Sequence, residues 1–489
     1  MDIATPRSRP SRVRAERVLP VMVIGISGAT WTVIDPMLAA GELPNLRALI
    51  RQGSRGVLES VKAPQDKHYR PQTAWPSIFT GRLPEGHGIT EYFHTSRNLR
   101  SPCVWDHFNA QGLGAGLYSA PISWPPPRIN GFVVPSLYAR DARAWPEELS
   151  SIAGYYRRHQ DAKLRPSSAS ILLGSARFLP LLFGPGRDWR TPVRLARSAV
   201  RLASTRQPET RALALRHAKL DFSMAMFLHL CRKFAPRLSI FTSFEVDYIS
   251  HRFWRYHEPD KFPAEPVEPA PLLKRAVRDA YARMDRCIGQ ALRRFPADGI
   301  VAVVSEHGMA AEVPSSEIGK WRYMIDARKL RALAGIGEEV VGVPIARWVA
   351  FRREDGGPLG DDVARSLASM KVAETGAPLF KTHFHAEDEV VVKLDLQRAH
   401  HVDVDDIGTL HVELPDGRVV PIVHVLRRAG RTRSAMHRKE GVLIVKGPSI
   451  RSGFEVQGAV VTDVMPTLLR AAGLETPSGL DGKALDLFD

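Results

Sequence analysis

Five side chains of this 489-residue chain combine the right types and spacing to hold a metal ion: Asp247 with His251, Glu306 with His307, and, far along the chain, His437. Imidazole nitrogen and carboxylate oxygen are the ligands zinc and manganese take, and no thiolate is involved. The spacing of four between Asp247 and His251 suits one turn of helix or a loop folded around a single ion. That spacing alone arises often by chance. Its combination with an apolar run ending in Glu306-His307-Gly308 and with Met436-His-Arg-Lys-Glu-Gly441 is far more specific. Ser27 follows another apolar run at the point where the same pattern calls for an acid, and a neutral hydroxyl is a much weaker ligand for a dication.

The elements that must position these groups are legible as apolar runs. Residues 18–26, 237–244 and 299–305 read as buried β-strands, and Ser27, Asp247 and Glu306-His307 follow them closely. In an open parallel sheet the carboxyl ends of the strands form the ligand crevice, so residues distant in sequence converge there. Further core strands are expected within 112–121 and 441–447. Helices are expected after Pro44 up to Gly53, over 274–295 with Val277, Tyr281, Met284, Ile288 and Leu292 on one face, and over 463–474. The predicted organisation is a basic tail (1–17), an α/β core in three parts (18–140, 236–309 and 431–489), a basic helical insertion (141–235), and a mixed α+β insertion or cap (310–430). Pro415-Asp416-Gly417 in the last of these is a hairpin-turn signal.

Composition bounds the function. Apolar content of 44% with 25% charged residues describes a globular chain able to bury a large core. Cys103, Cys231 and Cys287 are scattered and odd in number, which excludes a disulfide framework and favours a reducing compartment, so a cytoplasmic protein is expected. The arginine-rich N-terminus has no following apolar stretch long enough for a signal peptide and reads as disordered. Net charge is +16, and residues 151–235 hold 16 basic against 4 acidic residues, so three quarters of the excess lies there. Such a field suits a small anionic phosphoester substrate or acidic lipid, although solvated helix faces explain it equally well. No nucleic-acid-binding signature accompanies it. Within it, the apolar stretch 170–184 is too short and broken to span a bilayer and reads as a buried or lid helix, or as an interfacial helix giving peripheral membrane contact.

The successive motifs GISGATW (25–31), TAWPSIFTGRLPEGHGI (73–89), FEVDYISHRFWRY (244–256), VVSEHGM (303–309) and MHRKEGVLIVKGP (436–448) resemble those of the type I phosphodiesterase/nucleotide pyrophosphatase branch of the alkaline phosphatase superfamily. The closing segment 460–485 resembles that group too. The resemblance implies an alkaline-phosphatase-like α/β/α sandwich with a mostly parallel central sheet and two insertions. It further implies one or two divalent metals, zinc before manganese, at the strand ends. One ion falls to Asp247, His251 and His437; the other falls to Ser27, Thr73, Glu306 and His307.

In that family a metal-activated hydroxyl attacks phosphorus. The spacing to Thr80-Gly81 sets the nucleophile of many relatives at Pro71, which has no hydroxyl, so Thr73 is the candidate and Ser77 the alternative. A helix beginning there offers its N-terminus to phosphate oxygens. Glu306 is one methylene longer than the family's aspartate. Asp66, His68 and Glu91 are near enough in sequence to compensate for Ser27, and His87 reads as structural. The expected function is a metal-dependent hydrolase or transferase of phosphodiesters or phosphomonoesters. The alternative, favoured by Ser27, is a catalytically degenerate member that binds an anionic ligand or partner with one metal or none.

Overall fold

The strand Val21–Ile26 (β1) is composed wholly of apolar residues and glycine and is buried along its whole length, as a central parallel strand must be. The computed structural model describes residues 18–136, 138–158, 207–262, 271–313, 321–345, 348–384, 388–395, 409–431 and 433–489, with isolated positions between 178 and 205. The basic tail and, Phe178 apart, the 170–184 segment read as a lid or membrane-surface helix lie outside the described residues. Two units are distinguished, one formed by residues up to 90, 94–312 and 434–489, the other by 91–93 and 313–433.

The first unit is built on an eight-stranded sheet. Its strands in chain order are β1, β2 (Ser54–Glu59), β3 (Ala115–Tyr118), β4 (Gly131–Val134), β5 (Leu238–Ser243), β6 (Ile300–Ser305), β9 (Glu440–Lys446) and β10 (Phe454–Val460). The labels β7 (Gly308–Ala311) and β8 (Ala435–Arg438) belong to a separate two-stranded ribbon. The spatial order is β10-β2-β9-β6-β1-β5-β3-β4. β1 is flanked by β5 and β6, both parallel to it, with Ile26 opposite Ser243 and Gly25 opposite Val304. Only β9 runs antiparallel to its neighbours.

Alternation along β1 sends Val21 and Val23 to one face and Met22, Ile24 and Ile26 to the other. The first face packs with Trp75, Ile78 and Phe79 of α3 (Pro71–Thr80) and Leu468 of α7 (Val464–Ala472). The second packs with Leu46 and Leu49 of α2 (Pro44–Arg51) and with Val277, Tyr281, Met284 and Ile288 of α6 (Ala276–Leu292). Helices therefore cover both faces, and the fold is the expected α/β/α sandwich with a mostly parallel central sheet. The remaining helices of this unit used below are α1 (Trp31–Ala39), α4 (Pro208–Phe234) and α5 (Glu245–His257). Long α4 carries most of the described part of the basic region, and its apolar residues, among them Phe222, Met226 and Phe227, join the second face.

The second unit has a core of its own, including Leu330, Phe351, Leu367, Val392 and Val412. Its four-stranded antiparallel sheet is formed by Phe380–Phe384, Val390–Leu394, Trp348–Arg353 and Val340–Ile345. The hairpin expected at Pro415-Asp416-Gly417 joins His411–Glu413 to Val419–Pro421, with Gly417 at φ 83° as the turn requires.

Among the described residues no helix is long and apolar enough to cross a membrane.

Candidate metal centre

Three adjacent parallel strands deliver the site. Ser27 directly follows β1, and its backbone N–H donates to the carbonyl of Ser243 at the end of β5 (2.9 Å). Gly28 is held at φ 77°, and a Cβ there would lie 2.9 Å from the Cα of Asp247, so only glycine lets the start of α5 close against the end of β1. Asp247 sits in the first turn of α5, where a carboxylate is favoured by the helix dipole, and His251 lies one turn on along the same face. After β6, the Ser305 hydroxyl donates to the carbonyl of His307 (2.8 Å) and accepts from the backbone N–H of Ala29 (3.0 Å), which locks the two turns together. His437 arrives by a route the sequence did not show. It lies on β8, which pairs antiparallel with β7, placing His437 opposite Met309 just beyond Glu306-His307.

The structure brings Asp247, His251 and His437 together within hydrogen-bonding distance. His251 Nε2 and His437 Nε2 are 2.8 Å apart, and Asp247 Oδ1 is 3.0 Å from the second and 3.4 Å from the first. The other ring nitrogens decide what these atoms are. His251 Nδ1 meets the carbonyl of Ala435 at 2.5 Å, and His437 Nδ1 meets the carbonyl of Tyr69 at 2.7 Å. A carbonyl only accepts, so both Nδ1 atoms carry the proton, and in the neutral rings both Nε2 atoms present bare lone pairs. Three acceptors facing one another at 2.8–3.4 Å repel unless positive charge, a metal ion or a proton on one ring, lies among them. Tetrahedral zinc with bonds of about 2.0–2.1 Å sets its ligand atoms about 3.3 Å apart, so these three side chains fit a divalent ion. His307 is close by: its ring stacks on His437 with centroids 3.8 Å apart, and its ligand atom lies within 4.8 Å of those of Asp247 and His437.

Electrostatics follow from burial. Burial alone would raise the Asp247 carboxyl, but the charges and hydrogen bonds that His251 and His437 supply when protonated outweigh it and hold it well below the usual range. The His307 ring is kept neutral, first by burial and then by neighbouring His437. Burial pushes Glu306 up to about 8, with the charge of Asp247 adding to the shift and the hydrogen bond from Ser27 opposing it.

The residues implied for a second ion are arranged differently. Ser27, Glu306 and His307 are all 0% exposed, and the Ser27 hydroxyl donates to Glu306 Oε1 at 2.5 Å. His307 Nε2 is 3.2 Å from the same Oε1. Thr73 lies in the first turn of α3, buried, with its hydroxyl donating to the Arg70 carbonyl (3.1 Å). Asp66 pairs with Arg70 at 2.7 Å and does not stand in for the missing acid at position 27. Ser27, Glu306 and Thr73 therefore do not converge their lone pairs as Asp247, His251 and His437 do, while His307 lies beside Asp247 and His437. His87 is buried under α3, accepting from the Ile89 N–H at Nδ1 (3.1 Å) and bonding Ser77 Oγ through Nε2 (3.1 Å), which makes it a structural tie between turn and helix.

Gln72 went unnoticed in the sequence. It is 1% exposed, and neither atom of its amide has a hydrogen-bond partner among the described residues. It is the second residue of α3, whose N-terminus has no side-chain cap and no acid in its first turn. Tyr69, three residues earlier, is the carbonyl that orients His437. A lone glutamine beside a proline carries no sequence signal, and only burial reveals it.

Residues 21–421 match the sequence model of the type I phosphodiesterase/nucleotide pyrophosphatase family. The chain belongs to that family. It is a branch of the alkaline phosphatase superfamily, and the matched span holds every residue of the site except His437. A comparison with curated proteins finds no significant match. Among solved structures, human ectonucleotide pyrophosphatase/phosphodiesterase 5 is similar at 11% identity, over 96% of this chain and 100% of that one, with a TM-score of 0.43.

Proposed function

We propose that this chain hydrolyses or transfers phosphoric esters, diesters or monoesters, at a divalent cation held by Asp247, His251 and His437. The observation that carries this reading is the convergence of three lone-pair atoms at 2.8–3.4 Å, with both histidines oriented by backbone carbonyls. Family membership supports phosphoester chemistry, and an imidazole-rich set favours zinc over manganese. When bound, the ion supplies positive charge against the phosphoryl oxygens and the leaving oxygen.

Thr73 is the hydroxyl assigned to attack. Its Oγ1 leaves the Arg70 carbonyl, gives up its proton and forms a bond to phosphorus as the bond from phosphorus to the ester's leaving oxygen breaks; that oxygen departs with the electron pair and takes up the proton Thr73 has lost, and water or another acceptor then releases the phosphoryl group. Gln72 offers an amide N–H to a phosphoryl oxygen at the start of α3, which would satisfy a group otherwise buried without a partner. The basic region steers a small anionic substrate inward. No disulfide joins the three cysteines, which suits a cytoplasmic enzyme.

The test is turnover of pure protein, loaded with zinc or manganese, across a panel of phosphodiesters, phosphomonoesters and sulfate esters. Hydrolysis of a phosphoester that chelator abolishes and metal restores is expected; inactivity across the whole panel contradicts the reading. A second reading, an anion-binding member without turnover, is favoured by the Ser27–Glu306 bond and by Pro71 at the first position of α3. In that case phosphate binding persists while turnover is absent.

A further inference from the structure

We infer that the centre holds a single ion, and that the buried Ser27–Glu306 hydrogen bond replaces the second cation position. This rests on the reading of Asp247, His251 and His437 as a cation site. The geometry separates the two sets sharply. Four side chains fall to the second position: Ser27, Glu306, His307 and Thr73. Ser27 uses its proton on Glu306, which ties the only carboxylate of the set to a hydroxyl at 2.5 Å. Thr73 uses its proton on the carbonyl of Arg70. Two ligand atoms, His307 Nε2 and Glu306 Oε2, are left without a hydrogen-bond partner among the described residues, and two fall short of the three or four protein ligands that hold zinc, in a site that is 0% exposed.

Charge leads to the same conclusion. An acid at position 27 would place two buried carboxylates side by side, an arrangement that requires a cation between them. Serine removes one of those charges and supplies a hydrogen-bond donor in its place, so Glu306 Oε1 is satisfied with no metal present and Oε2 alone is left over. The first set has no internal donor while its rings are neutral, because all three of its facing atoms are then acceptors. Losing the second ion therefore follows from one residue, while Asp247, His251 and His437 still require theirs.

The experiment counts metal. Purified protein is equilibrated with zinc, freed of excess, and analysed for metal per folded chain, with binding measured by calorimetry. One ion per chain is expected for the natural sequence. Ser27→Asp is expected to bind two, since it restores the missing charge. Because a new buried acid can prevent folding, Glu306→Gln serves as the second variant: its amide still accepts from Ser27 but carries no charge, and it is expected to keep one ion. Two ions in the natural sequence, loss of an ion in Glu306→Gln, or a folded Ser27→Asp that still binds one, each overturn the inference. No ion at all defeats the cation reading beneath it as well. A one-ion protein that turns over no ester upholds this inference while defeating only the hydrolase reading.

Discussion

The two halves of the centre are built by the same sheet and a few residues apart, yet they solve the burial of polar groups in opposite ways. On the side of Asp247, His251 and His437, every facing atom is an acceptor and the Nδ1 protons are turned away to the carbonyls of Ala435 and Tyr69. On the side of Ser27 and Glu306, a donor faces an acceptor and satisfies Glu306 Oε1 within the protein. Buried polar groups must be satisfied, and a protein can do so with a bound ion or with a proton. On the one-ion reading, the difference between Asp and Ser at one position moves a site from the first solution to the second.

The largest effect is expected from Thr73→Ala, which removes the attacking hydroxyl while leaving the ion in place. Turnover should fall on the order of 10³-fold or more, with Thr73→Ser recovering much of it. Equal activity in both variants would assign the attack elsewhere.

His437→Ala strikes the half that requires a cation. It should release the ion and lower turnover by at least about 100-fold, as metal analysis and kinetics on one preparation would show.

Gln72→Leu is expected to raise KM about tenfold while leaving the melting temperature level or higher, because it removes buried amide atoms that have no partner. A clear loss of stability would show that the amide is satisfied within the protein.

The self-closed half is probed by Ser27→Ala, which strands a buried oxygen of Glu306 and should cost about 1–3 kcal/mol in urea unfolding without changing the ion count. His87 gives a comparison outside both halves. Burial holds its ring at about 4 against an ordinary 6.5, with the charge of Asp481 opposing and that of His94 adding to the shift. Its folded value lies below the unfolded one, so its contribution is present above pH 6.5 and is lost as pH falls towards 4. The loss should approach about 3 kcal/mol and be absent in a folded His87→Phe variant.

Much of this was legible in the sequence. Apolar runs located β1, β5 and β6, because central parallel strands are buried on both faces and read as continuous hydrophobic stretches. The helical face of α6 and the Asp247–His251 turn followed from the 3.6-residue period. The β7–β8 ribbon was not legible: Gly308–Ala311 and Ala435–Arg438 are four residues each, too short for a pattern, and their pairing is long-range. Nor did the sequence show that Ser27 would bond Glu306. It marked Ser27 as a missing charge, and only the distance between two turns made it a donor.

The most direct test of the centre is an anomalous-difference map from a crystal grown with zinc. One peak is expected about 2.0–2.2 Å from Asp247 Oδ1, His251 Nε2 and His437 Nε2. A map with no peak among those atoms, or with the ion bound to Ser27 and Glu306 instead, contradicts the assignment.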